Sequence, residues 1–355
     1  MGAGHVSTTT TLGLSTIGIE IEISQGIIVT FKAGSMCFGN AISVIPGDNS
    51  HYIEGVSRYI WMPDGEDVPH LVDLQEEPDM ELLTARDSSY NQYWLYTRSN
   101  PDSAQIITDE DKESILNSSY DGNKPLKVIV HGWNNDGNSN VNRMVKTAIL
   151  ETLDANVIVV DWKRLASSNY VSATNGIPDV GEHLGYFLTW LIESAGGEWK
   201  KVHLIGFSLG AHAVGIAGRT AGGKAARVTA LDPAGPLWVG NPQALNTSSA
   251  HYVEAIHTDG GFLGMSEALA HGDFFPNSGK HPQPGCWIST CSHSRSYRLF
   301  ASSIYTDHFV AKRCNDTNEA HNNQCTGSEF NMGNCDITKR GSGMYGLSTE
   351  RKWPF

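Results

Sequence analysis

Lys200-Lys201-Val202-His203-Leu204-Ile205-Gly206-Phe207-Ser208-Leu209-Gly210-Ala211-His212 is the stretch on which the reading of this chain turns. Val202, Leu204 and Ile205 make a short apolar run of strand character that stops at Gly206. Gly206-Phe207-Ser208-Leu209-Gly210 then fits G-x-S-x-G, in which a serine sits on a strained turn between a strand and a helix. A side chain at either glycine would collide with the neighbouring strand or helix where the chain doubles back. Ala211, Ala213, Val214, Ala217 and Gly218 follow with small apolar surface, suited to a helix packed closely on a buried sheet.

Alone, the pentapeptide also fits a glycine-rich turn carrying an ordinary serine. Its partners separate the two readings. A nucleophilic serine of this kind requires, later in the chain, an acid at the end of a strand and then a histidine. Arg227-Val228-Thr229-Ala230-Leu231-Asp232-Pro233 supplies a strand ending in Asp232, and Cys291-Ser292-His293 supplies the histidine. Asp161 also ends an apolar run, but it precedes the serine, so the order favours Asp232. Leu126 to Val130 and Asn156 to Asp161 read as strands buried on both faces, and Tyr252 to His257 as a further strand. Val141 to Leu153 and Val180 to Ala195 read as helices. The alternation predicts an α/β fold with a mostly parallel central sheet and helices on both faces, and the order serine, acid, histidine is the one an α/β-hydrolase fold requires.

Several blocks in one order carry a resemblance to a known family. They are Val130-His131-Gly132-Trp133, Val159-Val160-Asp161-Trp162, the Ser208 stretch, Leu231-Asp232-Pro233-Ala234, His257-Thr258-Asp259-Gly260, Asp273-Phe274-Phe275-Pro276-Asn277 and Cys291-Ser292-His293-Ser294-Arg295-Ser296-Tyr297. Over about Val128 to Cys325 the chain resembles the animal pancreatic-lipase family, which contains triacylglycerol lipases, phospholipases A1 and the insect yolk proteins. The resemblance implies a serine hydrolase of glycerolipid esters, with phospholipase A1 activity, triacylglycerol lipase activity or both. Ser208, Asp232 and His293 would form its triad, and the backbone N–H groups of Trp133 and Leu209 its oxyanion hole. The implied partner is a glycerolipid at a lipid surface or micelle. Yolk-type relatives keep the fold without an active serine, so a catalytically silent lipid-binding or storage protein is the alternative.

Bulk composition narrows the classes further. The chain has 355 residues and a net charge of −13. That charge excludes nucleic acid as a partner and makes any lipid contact apolar rather than basic. No apolar run of about 18 residues exists, so no transmembrane segment is expected. Cys37, Cys286, Cys291, Cys314, Cys325 and Cys335 lack the Cys-x-x-Cys and histidine spacing of a zinc site. Sequons at Asn117, Asn246 and Asn315, with closely spaced cysteines, favour a secreted, extracellular chain.

The resemblance also implies disulfides Cys286–Cys291 and Cys314–Cys325, leaving Cys37 and Cys335 to pair or stay free. In the family the first pair brackets a lid. Here only Trp287, Ile288, Ser289 and Thr290 lie between the cysteines, too few to cross a cleft, as in the family's phospholipases A1. The site is therefore expected to stand open to water, with little activation at a lipid interface. Vertebrate members hold calcium with acids after the triad aspartate, but Asn241 to Ala250 contains no Asp or Glu, so neither a metal nor another cofactor is expected. The chain after Cys325 is too short for the C-terminal β-sandwich of the digestive enzymes, so no colipase partner is expected. The expected organisation is one lipase domain over residues 51–355. Residues 1–50 are expected to be an atypical, poorly ordered extension: Ile17, Ile19, Ile21 and Ile23 alternate with Gly18, Glu20, Glu22 and Ser24, unlike a signal-peptide core. Ile53 to Gln75, broken by Gly55, Pro63, Gly65 and Pro69, reads as a loop leading into the sheet.

Overall fold

The computed structural model describes residues 43–84 and 90–355. The expectation for residues 1–50 therefore lies outside the described residues up to residue 42, as does Cys37. Residues 43–50 form bends and turns in which Asn49 is fully buried.

A small two-stranded sheet comes first. Strands β1 (Tyr59–Pro63) and β2 (Pro69–Asp73) pair antiparallel as a hairpin. This corrects the loop reading of Ile53 to Gln75: Pro63 and Pro69 face each other at the mouth of the turn, where a missing N–H does least harm. Helix α1 (Met80–Thr84) leads to β3 (Gln92–Tyr96), β4 (Gln105–Ile107) and the short helix α2 (Lys112–Leu116), whose N-cap Asp111 accepts the Glu113 N–H.

The central run is β5 (Leu126–Val130), α3 (Asn140–Thr152), β6 (Asn156–Asp161), α4 (Lys163–Ala166), α5 (Tyr170–Ala195), β7 (Val202–Phe207), α6 (Leu209–Thr220), β8 (Arg227–Leu231), β9 (Val253–Ile256) and β10 (Gly272–Pro276). Then come α7 (Ser289–Thr306), β11 (Val310–Arg313), α8 (Thr317–His321), β12 (Glu329–Asn331) and β13 (Gly343–Leu347). Eleven strands join in the order β12-β11-β13-β10-β9-β8-β7-β5-β6-β3-β4. The strands from β13 through β6 are mutually parallel, and β3, β4, β11 and β12 add antiparallel edges.

Period-two alternation in these strands builds two cores. Val128, Val130, Ile158 and Leu204 face one side, with Leu184, Phe187, Val214 and Ala217 of α5 and α6. Ile129, Val157, Val159 and Ile205 face the other, with Val145 and Ile149 of α3 and Tyr297 and Phe300 of α7. The sheet thus carries helices on both faces, the α/β-hydrolase arrangement expected. Helix α5 begins ten residues before the expected Val180. Tyr170, Ala173 and Ile177 continue the buried stripe of Val180, Leu184 and Leu188, and this burial outweighs Pro178 inside the helix. Cys286–Cys291 and Cys314–Cys325 are bonded as expected. Among the described residues no helix is long and apolar enough to cross a membrane.

Close approach fixes the centre. A Cβ on Gly206 would lie 2.2 Å from the Gly210 carbonyl oxygen, and one on Gly210 would lie 2.3 Å from that of Val130. Both obstacles are backbone and cannot swing aside. Gly210→Ala is expected to cost about 1–3 kcal/mol and to lower the melting temperature; an unchanged melting curve would contradict this packing.

Candidate active site

The three loops that follow β5, β7 and β8 meet at the carboxyl edge of the sheet, where open α/β folds form their crevices. Ser208 leaves β7 at φ 56° and ψ −122°, a conformation that non-glycine residues hold only under constraint from their surroundings. Its N–H donates to the Leu231 carbonyl at 3.1 Å, and its own carbonyl accepts from Ala234 at 3.3 Å. The turn is pinned from both sides, so the hydroxyl stands clear of the sheet.

Asp232 follows β8 with φ 44° and is fully buried. His293 lies in the first turns of α7, and its Nδ1 is 2.5 Å from Asp232 Oδ2. With Nδ1 engaged there, Nε2 is the ring nitrogen left to handle a proton. The Phe207 ring packs 4.7 Å from the imidazole, centroid to centroid. Ser208 and His293 line one pocket, with Trp133, Tyr170, Phe207 and Leu263 as its walls on the sheet side.

The loop after β5 packs directly on the serine. A Cβ at Gly132 would lie 3.0 Å from the Ser208 Cβ, so only glycine lets His131-Gly132-Trp133 come this close. Leu209 opens α6, where the first amides have no intrahelical acceptor. Among the described residues no acceptor takes the N–H of Trp133 or Leu209. Two amide donors are thus left over beside the serine. The Trp133 side chain is fixed by Nε1 donating to the Ser168 carbonyl at 2.9 Å and by an edge contact with Tyr170.

The other histidines and Asp161 have local tasks. His131 contacts the Gly132 carbonyl through Nδ1 at 2.9 Å and Asp161 through Nε2 at 3.3 Å, while Asp161 accepts the Lys163 N–H. His212 stacks on Trp238, and burial pushes its pKa down to about 4, so it stays neutral. Burial also works against charge on His257, but its 3.0 Å contact with Asp273 raises its pKa overall. Among the described residues no group of three or more His, Cys, Asp or Glu is placed to hold a metal ion.

Sequence reasoning quoted Thr258 and Asp259 within a motif without giving them a task. Their N–H groups donate to Asp232 Oδ1 at 2.7 Å and 3.1 Å, satisfying the oxygen that His293 does not use. Asp259 is itself buried, and its Oδ2 accepts from Ser289 Oγ at 2.6 Å and from the Leu263 N–H at 3.1 Å. Burial, and then the charge of Asp232, push the Asp259 carboxyl well above its ordinary 3.8. Two adjacent buried carboxyl groups do not both ionise readily, and at Asp259 the balance moves towards the protonated form.

Trp287, between the bonded cysteines, is 90 % exposed, as expected of a segment too short to cross the cleft. Ser208 is partly exposed, but the pocket beside it is narrow. Met62 and Pro63 of the β1–β2 hairpin line the pocket from outside and leave about 10 Å³ of room, roughly one water molecule.

The sequence was compared with known proteins. The Lipase family model matches residues 65–355. Pancreatic triacylglycerol lipase of Myocastor coypus is 35 % identical over 279 residues, covering 70 % of this chain and 60 % of that protein. The Homo sapiens pancreatic triacylglycerol lipase is 36 % identical over 262 residues, covering 66 % and 56 %. Pancreatic lipase-related protein 2 of Mus musculus is 35 % identical over 262 residues, covering 66 % and 54 %. The chain spans somewhat over half the length of these curated relatives.

The state of Asp259 has a measurable consequence. Its folded pKa lies above its unfolded value, so the folded chain binds the proton more tightly. The stability this lends is complete below about 3.8 and is lost as pH rises towards the folded pKa. Relative to Asp259→Asn, the unmodified protein should therefore lose melting temperature as pH rises from about 4 to about 7. Parallel melting curves across that range would refute a protonated Asp259.

Proposed function

The chain belongs to the lipase family, and from that premise we propose that it is a secreted serine hydrolase of glycerolipid esters. It would act as a phospholipase A1, a triacylglycerol lipase or both, through an acyl-enzyme on Ser208. The observation that carries this reading is the 2.5 Å contact between His293 Nδ1 and Asp232 Oδ2 in a pocket shared with Ser208.

In the proposed cycle His293 Nε2 takes the Ser208 proton as the hydroxyl oxygen attacks the ester carbonyl. Asp232 holds the imidazole in the tautomer with Nδ1–H and stabilises the imidazolium that forms. Thr258 and Asp259 keep the Asp232 carboxyl group aimed by donating two amide hydrogens to its other oxygen. The Trp133 and Leu209 N–H groups receive the negative charge that develops on the carbonyl oxygen. His293 returns the proton to the leaving alcohol, and water then releases the fatty acid by the same steps.

The two disulfides support an extracellular location, since such bonds persist in oxidising compartments. A glycerolipid, uncharged along its acyl chains, suits the apolar walls Trp133, Tyr170, Phe207 and Leu263.

Ser208→Ala is expected to lower ester hydrolysis roughly a thousandfold or more and to abolish labelling by a fluorophosphonate. A variant that keeps its rate would end the proposal, and an unmodified protein that resists labelling would favour a silent lipid-binding protein. Fatty acid release from phosphatidylcholine, compared with triolein at equal acyl concentration, distinguishes the two lipid classes.

A further inference from the structure

The room beside Ser208, about 10 Å³, is far below the volume of an acyl chain. A wall must move before that pocket can enclose a long acyl chain. Trp133, Tyr170, Phe207 and Leu263 belong to the main domain packing, with Phe207 on a central strand and Tyr170 hydrogen-bonded to the Pro236 carbonyl at 3.0 Å. Met62 and Pro63 belong instead to the β1–β2 hairpin, which forms a sheet of its own and has no ladder to the eleven strands. Two strands alone are marginally stable in water. The hairpin is the separable wall.

Two carboxylates fasten its tip: Glu66 pairs with Arg143 of α3 at 2.9 Å in an exposed contact, and Asp67 is the more buried of the two. Asp67, at φ 66° in the turn, accepts from Ser294 Oγ at 2.5 Å and from the Tyr297 hydroxyl at 2.7 Å and 2.8 Å, and Arg298 donates to its Oδ2 at 2.6 Å. These three partners are on α7, where Ser294 follows His293, and Asn140 at the start of α3 also donates to Oδ2 at 3.4 Å. Two backbone bonds, Gly65 N–H to the Asn134 carbonyl and Asn140 N–H to the Gly65 carbonyl, hold the same tip to the loop that follows Trp133. Further down the hairpin the inner face is apolar, with Ile60, Met62 and Val72 buried. If the tip lifts, an acyl chain can cover that face in place of the pocket wall. Outward, Val68 and Leu71 are 52 % and 41 % exposed, so the hairpin also presents apolar side chains to whatever lies above the site.

We infer that the β1–β2 hairpin gates the acyl pocket, and that Asp67 is the latch by which the enzyme discriminates between short and long acyl chains. Resting on the proposal of Ser208 as nucleophile, this assigns to the hairpin the covering role that the segment between Cys286 and Cys291 is too short to perform. Longer chains demand a wider opening, so their reaction depends more steeply on release of the latch. Asp67 is a positioning residue: it touches no reacting atom and acts through the wall it holds.

The test compares labelling rates of ethyl and dodecyl fluorophosphonates on the unmodified protein, Asp67→Asn and Arg298→Gln. Arg298→Gln removes only the partly exposed ion pair and guards against a folding defect in the first variant. The dodecyl rate should rise about fivefold in both variants while the ethyl rate changes less than about twofold. Amide exchange of residues 59–63 and 69–73 should quicken in the same variants. Equal changes for both probes, or no change in either rate, would overturn the gate. Failure of the ethyl probe to label the unmodified protein would instead overturn the reading of Ser208.

Discussion

Backbone meeting backbone without intervening side chains is the constraint on which this molecule rests. The chain turns from β7 into α6 within contact of β5, and the space left there admits a hydrogen and nothing larger at Gly206 and Gly210. The same closeness runs along α6, where a Cβ on Gly218 would lie 1.9 Å from the Ser249 carbonyl oxygen. A helix so near the sheet brings its first amide, that of Leu209, level with the serine it follows. The loop after β5 can then add the Trp133 amide from across the turn, because Gly132 is as bare as the elbow it touches. The serine turn and the two amide donors are consequences of one packing solution.

Charge is handled differently at the two ends of the sheet. At the carboxyl end Asp232 has donors on both oxygens, and burial favours the neutral form of its neighbour Asp259. At the opposite end Glu254 is buried between Arg227 at 2.9 Å and Lys339 at 2.6 Å, with Tyr252 also donating to it. That cluster ties the segment around Lys339 to the strand ends. One end of the sheet thus limits the charge beside the imidazole, and the other uses its charges for fastening.

The central strands were legible because burial on both faces leaves no polar positions to blur the pattern. Leu126–Val130, Asn156–Asp161 and Arg227–Leu231 stand where their apolar runs indicated. Ser208, Asp232 and His293 could be named because chain order and local motif agree. What escaped has physical reasons. The first turns of α5 carry Asn175, Gly176 and Pro178, each a poor helix former, and only tertiary burial keeps them helical. The hairpin carries two prolines and a glycine that imitate a loop. Asp67 has no local signature, since its partners Ser294, Tyr297 and Arg298 lie more than two hundred positions away. Asp259 showed as a motif letter, but the protonation of a carboxyl group depends on neighbours that a linear reading does not supply.

The bridge between Cys286 and Cys291 holds its two ends 5.4 Å apart, Cα to Cα, immediately before and inside the first turn of α7. Ser289 and Thr290 in that interval already belong to the helix bearing His293, and Ser289 holds Asp259, while Trp287 stands out in solvent. The exposed bend at Trp287 is thereby a socket: a longer loop could be grafted there, by evolution or by design, while the bridge keeps the first turn of α7 in place. A scaffold with such a socket can change what it admits while leaving alone how it reacts.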